Sequence, residues 1–321
     1  MNRPVALLAA LVLTAISVSS ACMANPGRSM AFTLQAYPGR SDVRFSLRRG
    51  DTPNHGVMSS SFAPNDLSGL DIAALRQPGQ HPLRFAYVQD AGRIDCTGSG
   101  GNSVASGQCT FMQSPAFADY LAGQGIGRPS FEQAYDLTIT GATRDLVEAL
   151  TQYRYPKPNI EKLTELAAVG VKGSYIAGLA SRGFMPRTLD ELTQFAALDV
   201  TPEYIDALAR AGYRGLSGEE ITELKAVGAD PAFIASLANA GYRNLSVDQL
   251  EQMAALEISP SFISSFARIG YANLPVDTLV ELKALDITPE YVRSLQSHGL
   301  RPGSAAELVK FKAAGLGNKD R

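Results

Sequence analysis

A repeat of 29 residues is the feature of this 321-residue chain that most restricts its fold. Similar residues recur at this spacing in several columns, and each column keeps its register over five or six copies. Periods of roughly 20 to 50 residues are typical of solenoids, whose units bury their apolar faces by stacking on one another. The clearest columns are Leu163, Leu192, Ile221, Leu250, Leu279 and Leu308; Leu166, Phe195, Leu224, Met253, Leu282 and Phe311; and Tyr175, Tyr204, Phe233, Phe262 and Tyr291.

Each unit is predicted to contain two short helices. The first, helix A, begins at a motif of capping-box form, as at 188–191 and 217–220, where Thr or Ser precedes Glu by three residues. The second, helix B, begins with Thr, Asp or Ser before a proline, as at Thr201-Pro202. A glycine ends helix B, because glycine readily adopts the left-handed conformation that follows many helices. These helix-end glycines are Gly183, Gly212, Gly241, Gly270 and Gly299.

The register of the repeat extends towards the N-terminus through degenerate copies. Arg154 stands at the helix-end position of one such copy, and Ser114-Pro115 lies in register with Ser259-Pro260 five periods later. Terminal repeats of a solenoid are usually atypical because they cap the stacked core. We therefore predict an α-helical repeat solenoid over residues 114–321, with degenerate first copies.

Residues 25–113 are predicted to form a small antiparallel β domain, either a sandwich or an open sheet. Val43, Phe45 and Leu47 alternate with polar residues, and the segment 83–88 has a similar alternation. A period of two is typical of strands that bury one face. The predicted fold class is therefore α+β, in which an α-solenoid of 29-residue helical-hairpin repeats follows the β domain.

Residues 1–24 have the pattern of a signal peptide. Arg3 precedes a mostly apolar run over 5–18, which is shorter than the roughly 20 residues that a membrane-spanning helix needs. Cleavage after Ala21 or Ala24 would leave a soluble, exported chain. The alternative is lipidation at Cys22, although the residue three positions earlier is serine and not the usual leucine of a lipobox. We expect a periplasmic or outer-membrane-associated protein with no transmembrane span in the mature chain.

Export to an oxidising compartment would allow the two cysteines that follow the signal peptide to form a disulfide. Cys96 and Cys109 flank a segment rich in Gly, Ser and Asn, which indicates a turn between two strands. If the strands pair about the middle of this segment, the two cysteines face each other, because side chains alternate along a strand. A disulfide is therefore predicted in an oxidising compartment. Two buried free thiols are the alternative.

Composition argues against several functional classes. The chain is 45% hydrophobic and 19% charged, with a formal net charge of −2, which is unlike disordered chains or nucleic-acid-binding proteins. It has three His and three Cys, few residues from which to build a metal or His-based catalytic site. We predict no catalytic residue, cofactor or metal, and no nucleic-acid partner.

Other candidate motifs have structural explanations that we prefer. His55, His81 and His298 are far apart in sequence and lack a second ligand at metal-binding spacing. Acidic pairs such as 190–191 and 219–220 fall at helix starts, where capping and the helix dipole favour them. Two glycine-rich runs could suggest phosphate loops, but neither lies between a strand and a helix with a P-loop lysine, so turns are the better interpretation. These runs contain Gly98, Gly100, Gly101 and Gly107, and Gly123, Gly125 and Gly127.

Charge and sequence variation indicate where partners could bind. Residues 25–113 contain 8 basic and 6 acidic residues (net +2), whereas 114–321 contain 20 and 25 (net −5). Ordinary solvated faces explain this split; alternatively, basic strand residues meet an anionic envelope component or the acidic solenoid. The Tyr/Phe column could line a ligand groove, although an inter-repeat core is the preferred interpretation. The basic strand residues are Arg44, Arg48 and Arg49.

Two columns do not keep one residue type from copy to copy, and we expect them to be exposed and to bind partners. Both lie on the helices of the repeat. They are Thr193, Thr222, Glu251 and Val280, and Asp206, Ala235, Ser264 and Arg293.

The repeat units resemble a known kind of bacterial sequence. The segment 279–292, Leu-Val-Glu-Leu-Lys-Ala-Leu-Asp-Ile-Thr-Pro-Glu-Tyr-Val, is similar to tandem helical repeats of bacterial envelope proteins. Some such repeats lie beyond the membrane-embedded peptidase of BlaR-type antirepressor metallopeptidases. The segment 85–111, which leads into Ser114-Pro115, resembles the sheet module that precedes them. The resemblance carries no His-Glu-x-x-His motif and no polytopic membrane region, so it implies an envelope protein but no proteolysis.

We therefore expect a non-enzymatic, exported protein-interaction scaffold or binding module of the bacterial cell envelope, with another envelope protein as its partner. The first alternative is a sensory or regulatory partner of a separate envelope signalling metallopeptidase, which the resemblance suggests. The second is an envelope hydrolase, because the paired carboxylates of a glycosidase need not be close in sequence.

The export prediction is tested by mass spectrometry of the protein purified from its native host. We expect a new N-terminus at Cys22 or Asn25 and a peptide cross-linked through Cys96 and Cys109. A diacylglyceryl mass on Cys22 would identify lipidation. An intact Met1, or two free thiols in the mature chain, would contradict the prediction.

Overall fold

The computed structural model describes residues 29–49 and 57–317. The predicted signal peptide, Cys22 and His55 lie outside these residues. The described residues form two compact units, one of residues 29–88 and 94–112 and one of residues 89–93 and 113–317. The first unit is mainly β and the second is helical, so the fold class is α+β, as predicted.

The strands of the first unit form one open antiparallel sheet, which decides against a sandwich. Its seven strands are arranged in the order β3-β2-β1-β7-β6-β5-β4. The N-terminal strand β1 lies between β2 and β7, and Phe32 pairs with Leu47 on one side and Gly107 on the other. The strands are β1 Ser29–Ala36, β2 Val43–Arg49, β3 Val57–Phe62, β4 Leu67–Ser68, β5 His81–Gln89, β6 Gly92–Gly101 and β7 Val104–Gln113, and a short helix α1, Ile72–Arg76, precedes β5.

One face of the sheet carries an aromatic core. Phe32 and Phe45 are at most 2% exposed, and the ring of Phe85 lies edge-on to both at 5.1 and 5.3 Å. The predicted disulfide between Cys96 and Cys109 is present on the same buried face, with 4.0 Å between the Cα atoms and both side chains buried. Closing a loop of this length contributes about 3 kcal/mol of stability in the chain-entropy model.

The glycine-rich run of β6 and β7 makes room for Phe32. A Cβ on Gly98 would lie 2.2 Å from the carbonyl oxygen of Ser106, and one on Gly107 would lie 2.2 Å from that of Thr97. Either added carbon would also come within 3.0 Å of the Phe32 ring. These glycines therefore let an aromatic ring lie against the backbone of a strand pair. The predicted turn is confined to residues 102–103, and Gly98, Gly100, Gly101 and Gly107 lie in the strands on either side of it.

Fourteen helices follow in tandem in the described part of the second unit, alternating between the two helix types. Each is eight to ten residues long. The A helices are α3 Phe131–Thr140, α5 Ile160–Ala168, α7 Leu189–Ala197, α9 Gly218–Ala226, α11 Val247–Ala255, α13 Val276–Ala284 and α15 Ala305–Ala313. The B helices are α2 Pro115–Gly123, α4 Arg144–Gln152, α6 Gly173–Ala180, α8 Pro202–Arg210, α10 Pro231–Asn239, α12 Pro260–Ala267 and α14 Pro289–Ser297.

Helices of both types are followed by a residue in the left-handed backbone conformation, with positive φ. The five glycines after the B helices have φ between +76° and +102°, and Arg154 adopts φ +60° in the same column. A second left-handed column follows the A helices and was not recognised in the sequence, because several of its members are acidic. Its members are Gly141, Gly170, Asp199, Gly228, Glu257, Asp286 and Gly315.

Helix starts follow the predicted capping chemistry with three exceptions, one of which is α13, where the N-cap residue Pro275 has no side-chain acceptor. Ser217 and Glu220 form a reciprocal capping box. Glu191 instead accepts the backbone N–H of Arg187 at 2.5 Å, one residue before the N-cap. At α6 the N-cap lysine offers no acceptor, and Asp145 of α4 accepts the N–H of Gly173 at 3.0 Å. A carboxylate from the preceding unit thus replaces a local cap.

The left-handed columns are tested by a pair of substitutions. Gly241→Val should lower the free energy of unfolding by at least about 1 kcal/mol, because a β-branched residue is strained at φ +100°. A Cβ there would meet no atom within 4 Å, so this loss comes from the backbone alone. Glu257→Gly should raise stability by about 0.5–1 kcal/mol, because it relieves the left-handed strain.

Urea denaturation measures both changes, with Glu257→Ala as the control, since alanine keeps the strain while removing the carboxylate. Equal effects of Glu257→Gly and Glu257→Ala would show that the charge and not the conformation sets the stability.

Candidate interaction surface of the repeat array

The side chains of the repeated apolar columns are buried where the units stack on one another. In helix A, the column from Leu163 to Leu308 is at most 1% exposed in every copy. The residue after the left-handed turn, such as Val200 or Ile258, is fully buried as well and forms a column that the sequence analysis did not single out. A ligand therefore cannot reach these columns without unstacking the units.

The Tyr/Phe column of helix B also lies between units. Tyr204 and Tyr291 are 7% and 8% exposed, and the hydroxyls of Tyr175 and Tyr291 each donate to a carbonyl 25 residues later, at 2.8 Å. Lys225 and Lys312 place their ammonium groups 4.6 and 4.7 Å from the rings of Tyr204 and Tyr291. Burial, with a contribution from a nearby carboxylate, raises the pKa of Tyr204 to about 12. These contacts favour the inter-repeat role over a ligand groove.

A second aromatic series links the loops that join helix B to the next helix A. Tyr213 donates its hydroxyl to the carbonyl of Leu245 at 2.9 Å, and Tyr242 donates to that of Leu274 at 2.6 Å. Phe184 occupies the same column but has no hydroxyl to donate. Leu300 in this column also lacks a hydroxyl, and the buried Tyr155 hydroxyl has no partner among the described residues. The bonded series therefore consists of Tyr213, Tyr242 and Tyr271.

Two grooves of the same construction open beside these loops; we call them the loop grooves. The first is about 270 Å³ and contains Phe184 and Tyr213, and the second is about 420 Å³ and contains Tyr213 and Tyr242. Because Tyr213 lines both, the grooves adjoin. Their other shared positions also differ by one period of 29 residues: Ile205 and Ile234, Ala209 and Ala238, Arg214 and Arg243, and Leu216 and Leu245.

The rims of the loop grooves carry exposed arginines. Arg214 donates Nε–H to the carbonyl of Ala209 at 3.3 Å, and Arg243 donates to that of Ala238 at the same distance. Each bond fixes the guanidinium over a groove while its other N–H groups remain available. In the described part of the chain, no carboxylate forms an ion pair with either guanidinium.

The remaining candidate residues are widely separated. His81 contacts the carbonyl of Pro78 at 3.0 Å, and His298 contacts that of Ser294 at 2.8 Å. Arg44 and Arg48 are exposed on the face of β2 opposite its aromatic core. Within residues 29–49 and 57–317, no group of three or more His, Cys, Asp or Glu residues is arranged to hold a metal ion.

One of the two non-repeating columns was wrongly expected to be exposed. Thr222 is 8% exposed and donates its hydroxyl to the carbonyl of Gly218 at 2.7 Å, and Val280 packs against the core. Thr193 and Glu251 are half-buried, so no member of this column is fully exposed. In the other column, Ala235, Ser264 and Arg293 are exposed.

Comparison with known proteins gives no assignment. The chain has no significant match to a family model, to a curated protein or to a solved structure. The resemblance to the repeats of BlaR-type peptidases therefore stays a prediction. Among the described helices, none combines the length and hydropathy that crossing a bilayer requires.

The aromatic series is tested by removing one hydroxyl and adding another. Tyr242→Phe should lower the free energy of unfolding by about 1 kcal/mol, because the buried carbonyl of Leu274 loses its donor. Phe184→Tyr should raise it by about 0.5–1 kcal/mol if the new hydroxyl reaches Leu216, 32 residues on. Thermal unfolding measures both. An unchanged stability of Tyr242→Phe would show that the series contributes nothing to stacking.

Proposed function

We propose that this protein is an exported, non-enzymatic interaction scaffold of the bacterial cell envelope. In this proposal, the repeat array binds an extended segment of another envelope protein along its loop grooves. The observation that carries it is the equivalence of two adjoining open grooves at the period of the repeat. A repeated site suits a ligand that is itself repetitive along its length, and a polypeptide backbone is such a ligand.

The spacing of the units supports an extended ligand. Neighbouring helices pack about 8–10 Å apart. An extended polypeptide advances about 3.3 Å per residue. Successive loop grooves are therefore about three residues of an extended chain apart. The aromatic floor of each groove suits an apolar or aromatic anchor, and the arginine on each rim suits a carboxylate or a backbone carbonyl beside it.

Export rests on independent features of the sequence and structure. The segment 1–24 has the pattern of a signal peptide, and a disulfide between Cys96 and Cys109 is typical of proteins in oxidising compartments. The lack of a recognised catalytic constellation in the sequence favours binding over turnover. The lipidated form, anchored through Cys22, differs from the soluble form only in its attachment.

The test is capture of envelope proteins on the immobilised mature chain, followed by affinity measurement with the recovered partner. Arg214→Glu/Arg243→Glu should weaken binding at least about tenfold, because it reverses both rim charges. Both residues are exposed, so the melting temperature should hardly change. Arg268→Glu, an equally exposed change outside the loop grooves, is the matched control.

Two results would contradict the proposal. In the first, the wild-type chain retains no envelope protein under native conditions. In the second, the partner binds the double variant and the control equally well, which would place its binding site away from the loop grooves.

A further inference from the structure

A groove larger than either loop groove lies between α7 and α9; we call it the acidic groove. Its volume is about 680 Å³. Apolar lining comes from Phe184, Met185, Phe195 and Leu216. Every other pair of successive A helices approaches more closely than α7 and α9. The groove is therefore a local widening of the stack and not a regular feature of each unit.

The wall of the groove on α9 begins with a glycine, and the Phe195 ring of α7 lies against it. Gly218 is the first residue of α9, and a Cβ added to it would lie 3.3 Å from the Phe195 ring. All other A helices begin with an apolar side chain at this position, and several of these are buried or packed against the core. The equivalents are Phe131, Ile160, Leu189, Val247, Val276 and Ala305.

The loop before α7 is a second departure from the repeat. The loops before α9, α11 and α13 carry a leucine at the position before the helix cap, as at Leu216 and Leu245, whereas this loop carries Arg187. Met185, two residues earlier, is 38% exposed and lines the groove. Two independent departures from the repeat thus meet in one cavity.

Carboxylates dominate the charged lining of the groove. Glu191, Glu219 and Glu223 line it, with Arg187 as the single basic lining residue. Glu219 and Glu223 are exposed and form no ion pair within the described residues. Glu251 of α11 lies near Glu223 and has one carboxylate oxygen buried without a partner. Burial, with this neighbouring carboxylate, raises the pKa of Glu251.

We infer that the acidic groove binds a polypeptide segment in which a lysine or arginine lies next to an apolar side chain. The apolar floor accepts the apolar side chain and the methylene stem of the basic residue, whose charged head lies at the carboxylates of Glu219 and Glu223. This inference rests on the proposed function, since it assigns a second, distinct binding element to the same array. It adds specificity for positive charge, which the arginine-rimmed loop grooves do not supply.

The direct test uses a defined probe on the full mature chain. Fluorescent acetyl-Lys-Leu-Lys-Leu-Lys-amide is titrated at about 0.15 M salt, with the Glu-Leu and Lys-Ser analogues as comparison peptides. The Lys-Leu probe should bind, and both analogues should bind at least about tenfold more weakly. The Glu-Leu peptide lacks the positive charge, and the Lys-Ser peptide lacks the apolar side chain. Equal binding of all three peptides, or none of the Lys-Leu probe, would overturn the inference.

Charge is tested with a matched pair of variants. Glu219→Gln/Glu223→Gln should weaken Lys-Leu binding at least about tenfold. Asp277→Asn/Glu281→Gln makes a similar charge change at the same helical positions of α13, 58 residues on, where Val276 stands in place of the glycine. This control should change binding by less than about twofold. Equal effects would assign binding to the general negative charge of the array and overturn the inference.

Shape is tested by filling the groove. Gly218→Val introduces the residue found at the equivalent position of α11, and it should reduce Lys-Leu binding at least about tenfold while the chain stays folded. If the Phe195 ring does not yield, Phe195→Leu/Gly218→Leu reproduces the pair Leu166 and Leu189 and provides a second filled variant. Undiminished binding to a folded, filled variant would overturn the inference.

Failure here is distinguishable from failure of the proposed function. If a captured envelope partner depends on Arg214 and Arg243 but binds the filled and charge-neutralised variants normally, the scaffold proposal stands and the acidic groove is wrong. If the Lys-Leu probe behaves as expected but no envelope protein is captured, the groove stands and the scaffold proposal fails.

Discussion

Stacking of one helical hairpin on the next is the interaction on which the rest of the array depends. The helices α2–α15 are each eight to ten residues long, and isolated helices of this length are marginal in water. Their stability must come from burial between units, as the fully buried Leu192 and Leu250 show. A unit therefore has to place its apolar columns at the same positions as its neighbours. That requirement explains why one period of 29 residues persists along the chain.

The left-handed turns enforce this geometry. The residue with positive φ that follows each helix sets the direction in which the chain enters the next helix. A change in one of these turns would therefore displace all later units. Glycine achieves this conformation without strain at Gly212 and Gly241, whereas Asp199 and Glu257 adopt it at a cost to stability. The array therefore tolerates local strain at a turn more readily than it tolerates a break in register.

Local signals made much of the fold predictable from the sequence. Residues close together in the chain determine the apolar pattern of each helix, the Thr-Pro helix starts and the helix-end glycines. The turn between Cys96 and Cys109 depends on nearby residues in the same way. The sheet order could not be predicted, because β1 pairs with β7, about 70 to 80 residues away. The replacement cap of α6 also escaped prediction. It depends on Asp145 of another helix, and the only local sign was a lysine at the N-cap position.

The acidic groove shows why sites in repeat proteins are hard to see in a single unit. Gly218 is an ordinary residue at the first position of a helix and becomes informative only when its column is compared across copies. In an ordinary core, surrounding side chains relax partly into the space that a lost side chain leaves. Here the Phe195 ring lies against Gly218, but α7 and α9 are each held by their own buried columns, at Leu192 and Ile221, and a groove stays open beside them. A departure from the repeat is therefore kept as an open cavity, and the regular units on either side provide the rigid walls that a binding site needs.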